Sequence, residues 1–380
     1  MLDSFGEPLT VREVPIPEEL ERGAILVRIE TSSICGSDIH LCAGHMSPSL
    51  DIELPVIPGH EMVGRIVRLG EDVDRDSVGQ PIGLGDRLLW SHGSCGRCHA
   101  CQVLRDPALC THRRWYTFSS CARYPYLVGG FSEYCYVFPE SDTVRVPDEI
   151  PSRWGSAAGC ALRSVISSFE RLGALEETQT VVIQGTGPLG LFATALARRR
   201  GAGRIIVIGA PRARLDVARA WGADEVVAIE DAGDAEARVA AVMELTDGQG
   251  AAVTMEYSGA QAAFAEGLEM TARGGRYLVV GPTGQQHCEV QPAMIATRSV
   301  RVIGSWSGDI THYWKALEFM RSARDELDFD LIFSEPYSLD QVNLAMERMR
   351  ALEDIKPVIA FAGAGGTDAG SPAGEGSPDA

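Results

Sequence analysis

Short apolar runs broken by Gly and Pro mark the first 150 positions of the chain. Examples are Ala24-Ile25-Leu26-Val27-Arg28-Ile29, Val63-Gly64-Arg65-Ile66-Val67 and Tyr134-Cys135-Tyr136-Val137. Runs this short, punctuated by turn residues, predict strands and an all-β or barrel-like lobe. The pattern changes after Pro151. Val181-Val182-Ile183 runs into glycines and then into helical periodicity from Leu189 to Arg199. Ile205 to Ile208, a helical stretch from Ala213 to Trp221, Glu225 to Ala228, Ala252 to Glu256 and Arg276 to Val280 continue the alternation. Strands apolar on both faces, separated by helices, predict a doubly wound parallel sheet. The stretch 305–361 is mixed and resembles neither half. Residues 362–380 are nearly all Gly, Ala, Ser, Pro and Asp, a composition that predicts a disordered tail.

A chain of 380 residues suits two domains rather than one. Its 34 basic residues against 52 acidic ones give a formal net charge of −18, which makes phosphate backbones and anionic lipid poor partners. No apolar run reaches the roughly 20 residues of a membrane helix. Met1 to Thr10 carries Asp3 and Glu7 and lacks the apolar stretch of a secretory signal, so the expected compartment is the cytoplasm. In such a reducing setting, four cysteines between Cys95 and Cys110 point to a metal rather than to disulfides.

Those four are Cys95-x2-Cys98-x2-Cys101-x8-Cys110. Four thiolates can close a tetrahedral shell around one zinc and leave no open position, which makes the expected ion structural. A second, dispersed set is Cys35, in Cys35-Gly36-Ser37-Asp38-Ile39-His40, with His60, in Gly59-His60-Glu61, and Cys160. Singly these are weak signals, since buried cysteines are usually inert. Together, two thiolates and one imidazole suit zinc and leave a fourth position for water or substrate.

The order Cys35-x-Ser37-Asp38-x-His40, Gly59-His60-Glu61, Gly85-Asp86-Arg87, the cysteine lobe, Gly159-Cys160 and Gly185-x-Gly187-x-x-Gly190 resembles the zinc-containing alcohol dehydrogenases of the medium-chain dehydrogenase/reductase family. The resemblance runs over about residues 5 to 361. It implies a GroES-like β-barrel lobe at 1–160, completed by 305–361, and a Rossmann lobe at 161–304. It also implies that Cys35, His60 and Cys160 hold a catalytic zinc, a Cys2His shell known for these enzymes, and that the lobe cysteines hold a structural one. The Cys101–Cys110 spacing is one residue longer than the family's commonest version. Asp38 is expected to fix the tautomer of His60. Glu61 is expected to sit behind the metal or to swap in as a transient ligand, or else to be the buried partner of an arginine. Ser37 is expected to pass the alcohol's proton and His40 to carry it to solvent.

Gln184-Gly185-Thr186-Gly187-Pro188-Leu189-Gly190 follows an apolar strand and opens a helix, the context in which a glycine-rich turn binds a dinucleotide. Relatives specific for NAD carry Asp or Glu at the end of the next strand. Here that strand ends in Gly209-Ala210-Pro211-Arg212-Ala213-Arg214. The missing acid removes repulsion of a 2′-phosphate, and Arg212 or Arg214 could pair with one, unless both are solvated residues at a helix start. The balance tips toward NADP. Ser164 stands where relatives place a hydroxyl near the nicotinamide.

Cys42, Cys121, Cys135 and Cys288 are expected in core packing, and His45, His92, His99 and His112 in loops. Trp90, Trp115, Tyr116 and Trp306 belong either to the core or to a substrate cleft. The substrate pocket is expected from loops such as Gly44 to Leu54 and His112 to Val128, which identify no molecule. The reading is a zinc-dependent oxidoreductase moving a hydride between an alcohol, or its carbonyl, and NAD(P); the resemblance also implies a homodimer or homotetramer. Two other classes are weighed. A zinc-independent quinone-type reductase is opposed by the intact Cys35, His60 and Cys160. A non-enzymatic zinc protein is opposed by the glycine-rich turn.

Overall fold

Antiparallel pairing gathers the early apolar runs into one sheet. β1 (Ile25–Ser33) pairs with β2 (Glu61–Leu69), β2 with β3 (Arg87–Trp90), β1 also with β4 (Tyr134–Val137), and β3 with β5 (Thr143–Arg145). The computed structural model describes residues 1–46, 50, 52–281 and 287–361. The expected tail at 362–380 lies outside the described residues, as do positions 47–49 and 51 of the Gly44 to Leu54 loop.

Two short helices matter for the site. α1 (Gly36–Cys42) leaves β1, and α2 (Ser152–Ala157) leads through one π-helical turn, Ala158–Leu162, into α3 (Arg163–Leu172).

From Thr180 onward strand and helix alternate. The strands are β6 (Thr180–Gln184), β7 (Arg204–Gly209), β8 (Glu225–Ala228), β9 (Ala251–Glu256), β10 (Thr271–Val279) and β11 (Arg301–Gly304), all parallel, in the spatial order β11-β10-β9-β6-β7-β8. The interleaved helices are α4 (Pro188–Arg199), α5 (Arg212–Ala220), α6 (Ala235–Leu245), α7 (Ala263–Met270) and α8 (Pro292–Arg298). Both faces of this sheet are covered. Val181 and Ile183 pack in the core shared with α3 and α4, whereas Val182, between them, packs with Val242 of α6 on the opposite face. Each is fully buried, a change worth roughly 1.5–3 kcal/mol per side chain.

The mixed stretch after Gly304 forms α9 (Ile310–Ala323), which packs on α3, then α10 (Val342–Arg350) and β12 (Val358–Ala360). β12 pairs antiparallel with β1, so the end of the described chain returns to the first sheet. Among the described residues no helix is long and apolar enough to cross a membrane.

Candidate functional site

One buried carboxylate ties two distant turns together. Asp38, 1% exposed, sits in the first turn of α1, and its Oδ2 accepts the Cys35 N–H at 2.8 Å, reaching back to the helix start. Its Oδ1 accepts the Gly59 N–H at 3.1 Å and lies 3.3 Å from His60 Nδ1. Cys160 is carried on the π-helical turn, and its Sγ comes to 3.6 Å from His60 Nε2. One ligand atom each from Cys35, His60, Glu61 and Cys160 lies within 4.8 Å of the others.

These atoms fit zinc. Zn–S of about 2.3 Å and Zn–N of about 2.0 Å at a tetrahedral angle require an S···N separation of roughly 3.5 Å, matching the Cys160–His60 distance. Protons crowd the same spot. The neighbouring Cys160 thiol and burial push Cys35 up to about 11. Burial disfavours a charged His60, but Asp38 and Cys35 outweigh it and hold the imidazole well above its ordinary range. A divalent cation there would stabilise the thiolates that these neighbours otherwise disfavour.

Glu61 brings a carboxylate oxygen into this cluster and is fully buried. Its partner is not an arginine, as one sequence alternative had it, but Lys356, itself 1% exposed and in ion-pair contact through Nζ. Burial pushes Glu61 up to about 7 against the pull of Lys356. Lys356 is shielded from water, yet Glu61 and the Cys35 and Cys160 thiols hold its pKa above the usual value.

The lobe cysteines also come together. Cys98 Sγ lies 3.5 Å from Cys101 Sγ and 3.8 Å from Cys110 Sγ, and Cys110 Sγ lies 3.6 Å from Cys95 Sγ. None of the four is in a disulfide. A tetrahedral ZnS4 shell requires about 3.8 Å between sulfurs. The Cys95 and His112 backbone N–H groups both donate to Cys110 Sγ at 3.4 Å, as they would to a thiolate.

A cleft of about 380 Å³ opens beside Cys35, His60 and Cys160 and extends to the glycine-rich turn. Ser37, His40 and Ser164 line it. Ser37 Oγ is 3.4 Å from His60 Nε2. Burial and the nearby His45 lower the pKa of His40. At the other end, Gly185 has φ +111°, and a Cβ there would stand 2.9 Å from the Ser258 backbone nitrogen; at Gly190 a Cβ would stand 2.0 Å from Gly185 O. Gly187, the residue before α4, meets nothing within 4 Å and lines the cleft with Pro188 and Leu189. The turn is thus closed against its own protein and open toward the cleft, which suits close approach of a pyrophosphate.

The two arginines part company. Arg212 projects outward, with 61% of its side chain exposed, and pairs with Asp231, while its backbone N–H donates to Glu230 Oε1 at 3.1 Å. Arg214 turns inward instead of being solvated. It is 7% exposed, donates through Nη2 to Asp354 O at 2.7 Å and Leu352 O at 3.2 Å, lines the cleft and leaves Nε without a partner among the described residues. At Gly209 a Cβ would lie 2.4 Å from Thr186 Cγ2, so an acid cannot stand there unless Thr186 changes.

Other expectations are resolved residue by residue. Trp115 and Trp306 line the cleft, whereas Trp90 and Tyr116 are core. Cys42, Cys121 and Cys135 are buried as expected, but Cys288 is exposed and packs in no core. His92 lies in a loop, as expected, and lines the cleft. Arg163 and Lys356 were not singled out. For Lys356 a signal existed, a lone cation inside Ile355-Lys356-Pro357-Val358-Ile359.

Residues 21–148 match the alcohol dehydrogenase GroES-like domain, and residues 188–322 match the zinc-binding dehydrogenase domain. The chain is 33% identical over 354 residues to 5-exo-hydroxycamphor dehydrogenase of Pseudomonas putida, covering 91% of this chain and 94% of that one. It is 30% identical over 342 residues to sorbitol dehydrogenase of Bacillus subtilis, covering 90% of each. An alcohol dehydrogenase structure from Thermotoga maritima superposes with a TM-score of 0.86 at 32% identity, over 94% of this chain and 97% of that one. A zinc-binding dehydrogenase from Sinorhizobium meliloti, solved with NADP bound, superposes with a TM-score of 0.80 at 28% identity, over 95% and 98% of the two chains.

Proposed function

Since this chain belongs to the zinc-containing alcohol dehydrogenases of the medium-chain dehydrogenase/reductase family, we propose that the cleft beside Cys35, His60 and Cys160 is where it oxidises an alcohol or reduces the matching carbonyl. The protein is a zinc-dependent, NAD(P)-linked oxidoreductase. The observation that carries the assignment of the site is the convergence of two thiols and one imidazole, at zinc distances, in the cleft that the glycine-rich turn shares.

Cys35, His60 and Cys160 would hold one zinc, and Cys95, Cys98, Cys101 and Cys110 a second, structural one. Bound there, zinc supplies Lewis acidity toward the substrate oxygen, and the dinucleotide takes up or gives the hydride. The protein's own groups do the rest. Asp38 orients His60. Ser37 takes the alcohol's proton and passes it to His40, one turn along α1 on the same face. Burial keeps His40 neutral and able to accept. Lys356 balances the charge of Glu61 beside the ligands, so the cluster need not carry an unpaired carboxylate.

NADP is the proposed preference, because no acid stands at Gly209 and Arg212 can exchange the exposed Asp231 for a 2′-phosphate. A homodimer or homotetramer is also proposed. β11 is an edge strand with Val302 40% exposed, a surface that pairing with a second copy would cover. Light scattering checks this, and a monomer of 40.9 kDa would refute it. The functional test is a panel of alcohols and ketones assayed with both dinucleotides: turnover that depends on zinc supports the assignment, and turnover by metal-free protein would overturn it.

A further inference from the structure

Arg163 and His92 line the cleft and belong neither to the metal shells nor to the dinucleotide turn. Arg163 stands three residues after Cys160 at the start of α3 and is 4% exposed. Its Nε donates to Gly159 O at 2.7 Å, and its Nη1 to Ser307 Oγ at 2.5 Å and Gly308 O at 3.2 Å. The guanidinium lies over the Tyr313 ring, 5.0 Å from its centroid. All these partners are neutral. Among the described residues no carboxylate pairs with Arg163, and none accepts from Nη2. Burial opposes its charge, but Tyr313, the Cys160 and Cys35 thiols and Glu61 outweigh it and hold the Arg163 pKa above the usual value, so the guanidinium stays charged while Nη2 has no acceptor.

The second is His92. Its Nδ1 accepts the Tyr116 N–H at 3.3 Å, and its ring lies against Trp115 and Tyr116, at centroid distances of 4.8 and 5.8 Å. An accepting Nδ1 puts the proton of the neutral ring on Nε2. That N–H is a donor fixed in direction, and among the described residues nothing accepts it. Burial and the nearby Arg113 and Arg163 keep His92 well below the usual histidine range, so the neutral ring is the form present. Met46, Trp115, Phe118 and Trp306 give the cleft a largely apolar wall.

We propose that Arg163 Nη2 and His92 Nε2 receive a second oxygen of the substrate. The substrate class is then an alcohol on an apolar skeleton with a ketone or carboxylate oxygen remote from the reacting hydroxyl, rather than a plain alkanol. This rests on the dehydrogenase reading above and narrows it. Two donors that cannot accept require an acceptor with more than one lone pair, and a hydrocarbon ring offers none. A site built this way rejects the analogue lacking the oxygen, because its own buried donors are then left unpaired.

The test compares cyclohexanol, 4-hydroxycyclohexanone and 4-hydroxycyclohexanecarboxylate, with NAD and with NADP. Wild-type protein should favour one of the two oxygenated compounds over cyclohexanol by at least about tenfold in kcat/KM. Which of them wins separates a ketone from a carboxylate. His92→Phe keeps an aromatic ring in the stack and should raise KM for the favoured compound about tenfold more than for cyclohexanol. Arg163→Lys keeps the charge without the planar fork and should act in the same direction. Its packing role makes His92→Phe the deciding variant, with a melting curve to show that the protein is folded. Equal use of all three compounds, or a His92→Phe defect of the same size on each, overturns the inference and leaves the dehydrogenase reading standing. Turnover of none of them overturns the inference, whereas the dehydrogenase reading falls only if the wider panel of alcohols and ketones fails as well.

Discussion

Asp38 Oδ1 lies 3.3 Å from His60 Nδ1 and at the same time accepts the Gly59 N–H, while the other oxygen holds the Cys35 N–H. A single carboxylate thereby sets the orientation of two proposed zinc ligands that are far apart in sequence. Asp38→Asn should keep part of the backbone hydrogen bonding but lose the charge, and Asp38→Ala should lose both. We expect zinc affinity at the cleft or turnover to fall by about 10–100-fold, with Asp38→Ala the worse, because partners behind metal ligands typically matter to that extent. Metal titration and kinetics on the two variants check this; values within twofold of wild type would contradict it.

The cysteine lobe should behave as a stability element. With sulfurs 3.5–3.8 Å apart and no position left open by four ligands, a zinc held there would contribute to folding rather than to chemistry. Cys98→Ala should remove one zinc per chain and lower the melting temperature, while its remaining folded fraction keeps the same KM. A Cys98→Ala protein with an unchanged melting curve would show that the lobe holds no structural ion.

Local patterns were legible where one segment decides its own structure. Tyr134 to Val137 and Glu225 to Ala228 form strands with the expected bounds, and the burial of Val181, Val182 and Ile183 on alternate faces is what a run apolar on both sides implies. The clustering of Cys35, His60 and Cys160, and of Cys95, Cys98, Cys101 and Cys110, was legible because thiols and imidazole in that pattern have few other uses. Side-chain direction was not. Arg212 and Arg214 are two positions apart on a helix, so they cannot share a face, and only the packing of the stretch around Leu352 on α5 determines that Arg214 is the buried one. The partner of Glu61 comes from the far end of the described chain, through the pairing of β12 with β1, and no local pattern encodes that contact.

That pair gives a further prediction. Lys356→Met removes the cation that opposes burial at Glu61, so the buried carboxyl should take up a proton at neutral pH and the variant should lose stability progressively as pH rises above about 4.5, the ordinary carboxyl value. Adding Glu61→Gln removes the ionisable group and should recover much of that loss. Denaturant unfolding of the two proteins in parallel measures this, and equal stability of the single and double variants would refute the coupling.

Cofactor choice is tested at three positions. If Arg212 contacts a 2′-phosphate, Arg212→Ala should lower kcat/KM for NADP by about ten- to a hundredfold, the worth of a charge-assisted hydrogen bond of roughly 1.5–3 kcal/mol, and lower that for NAD far less. Gly209→Asp alone should impair both cofactors, because its Cβ would run into Thr186. Combined with Thr186→Gly, it should shift preference toward NAD. A tenfold wild-type preference for NAD would refute the NADP assignment.

The central claim is that Cys35, His60 and Cys160 hold the zinc on which turnover depends, and metal content measured alongside turnover on the same preparations tests it most directly. Wild-type protein should contain two zinc ions per chain. Cys160→Ala should contain one, still bind the dinucleotide, and lose at least about a thousandfold in turnover, the several kcal/mol that a Lewis acid contributes at the reacting oxygen. Cys160→Ala protein that retains two zinc ions, or that turns over an alcohol at the wild-type rate, would contradict it.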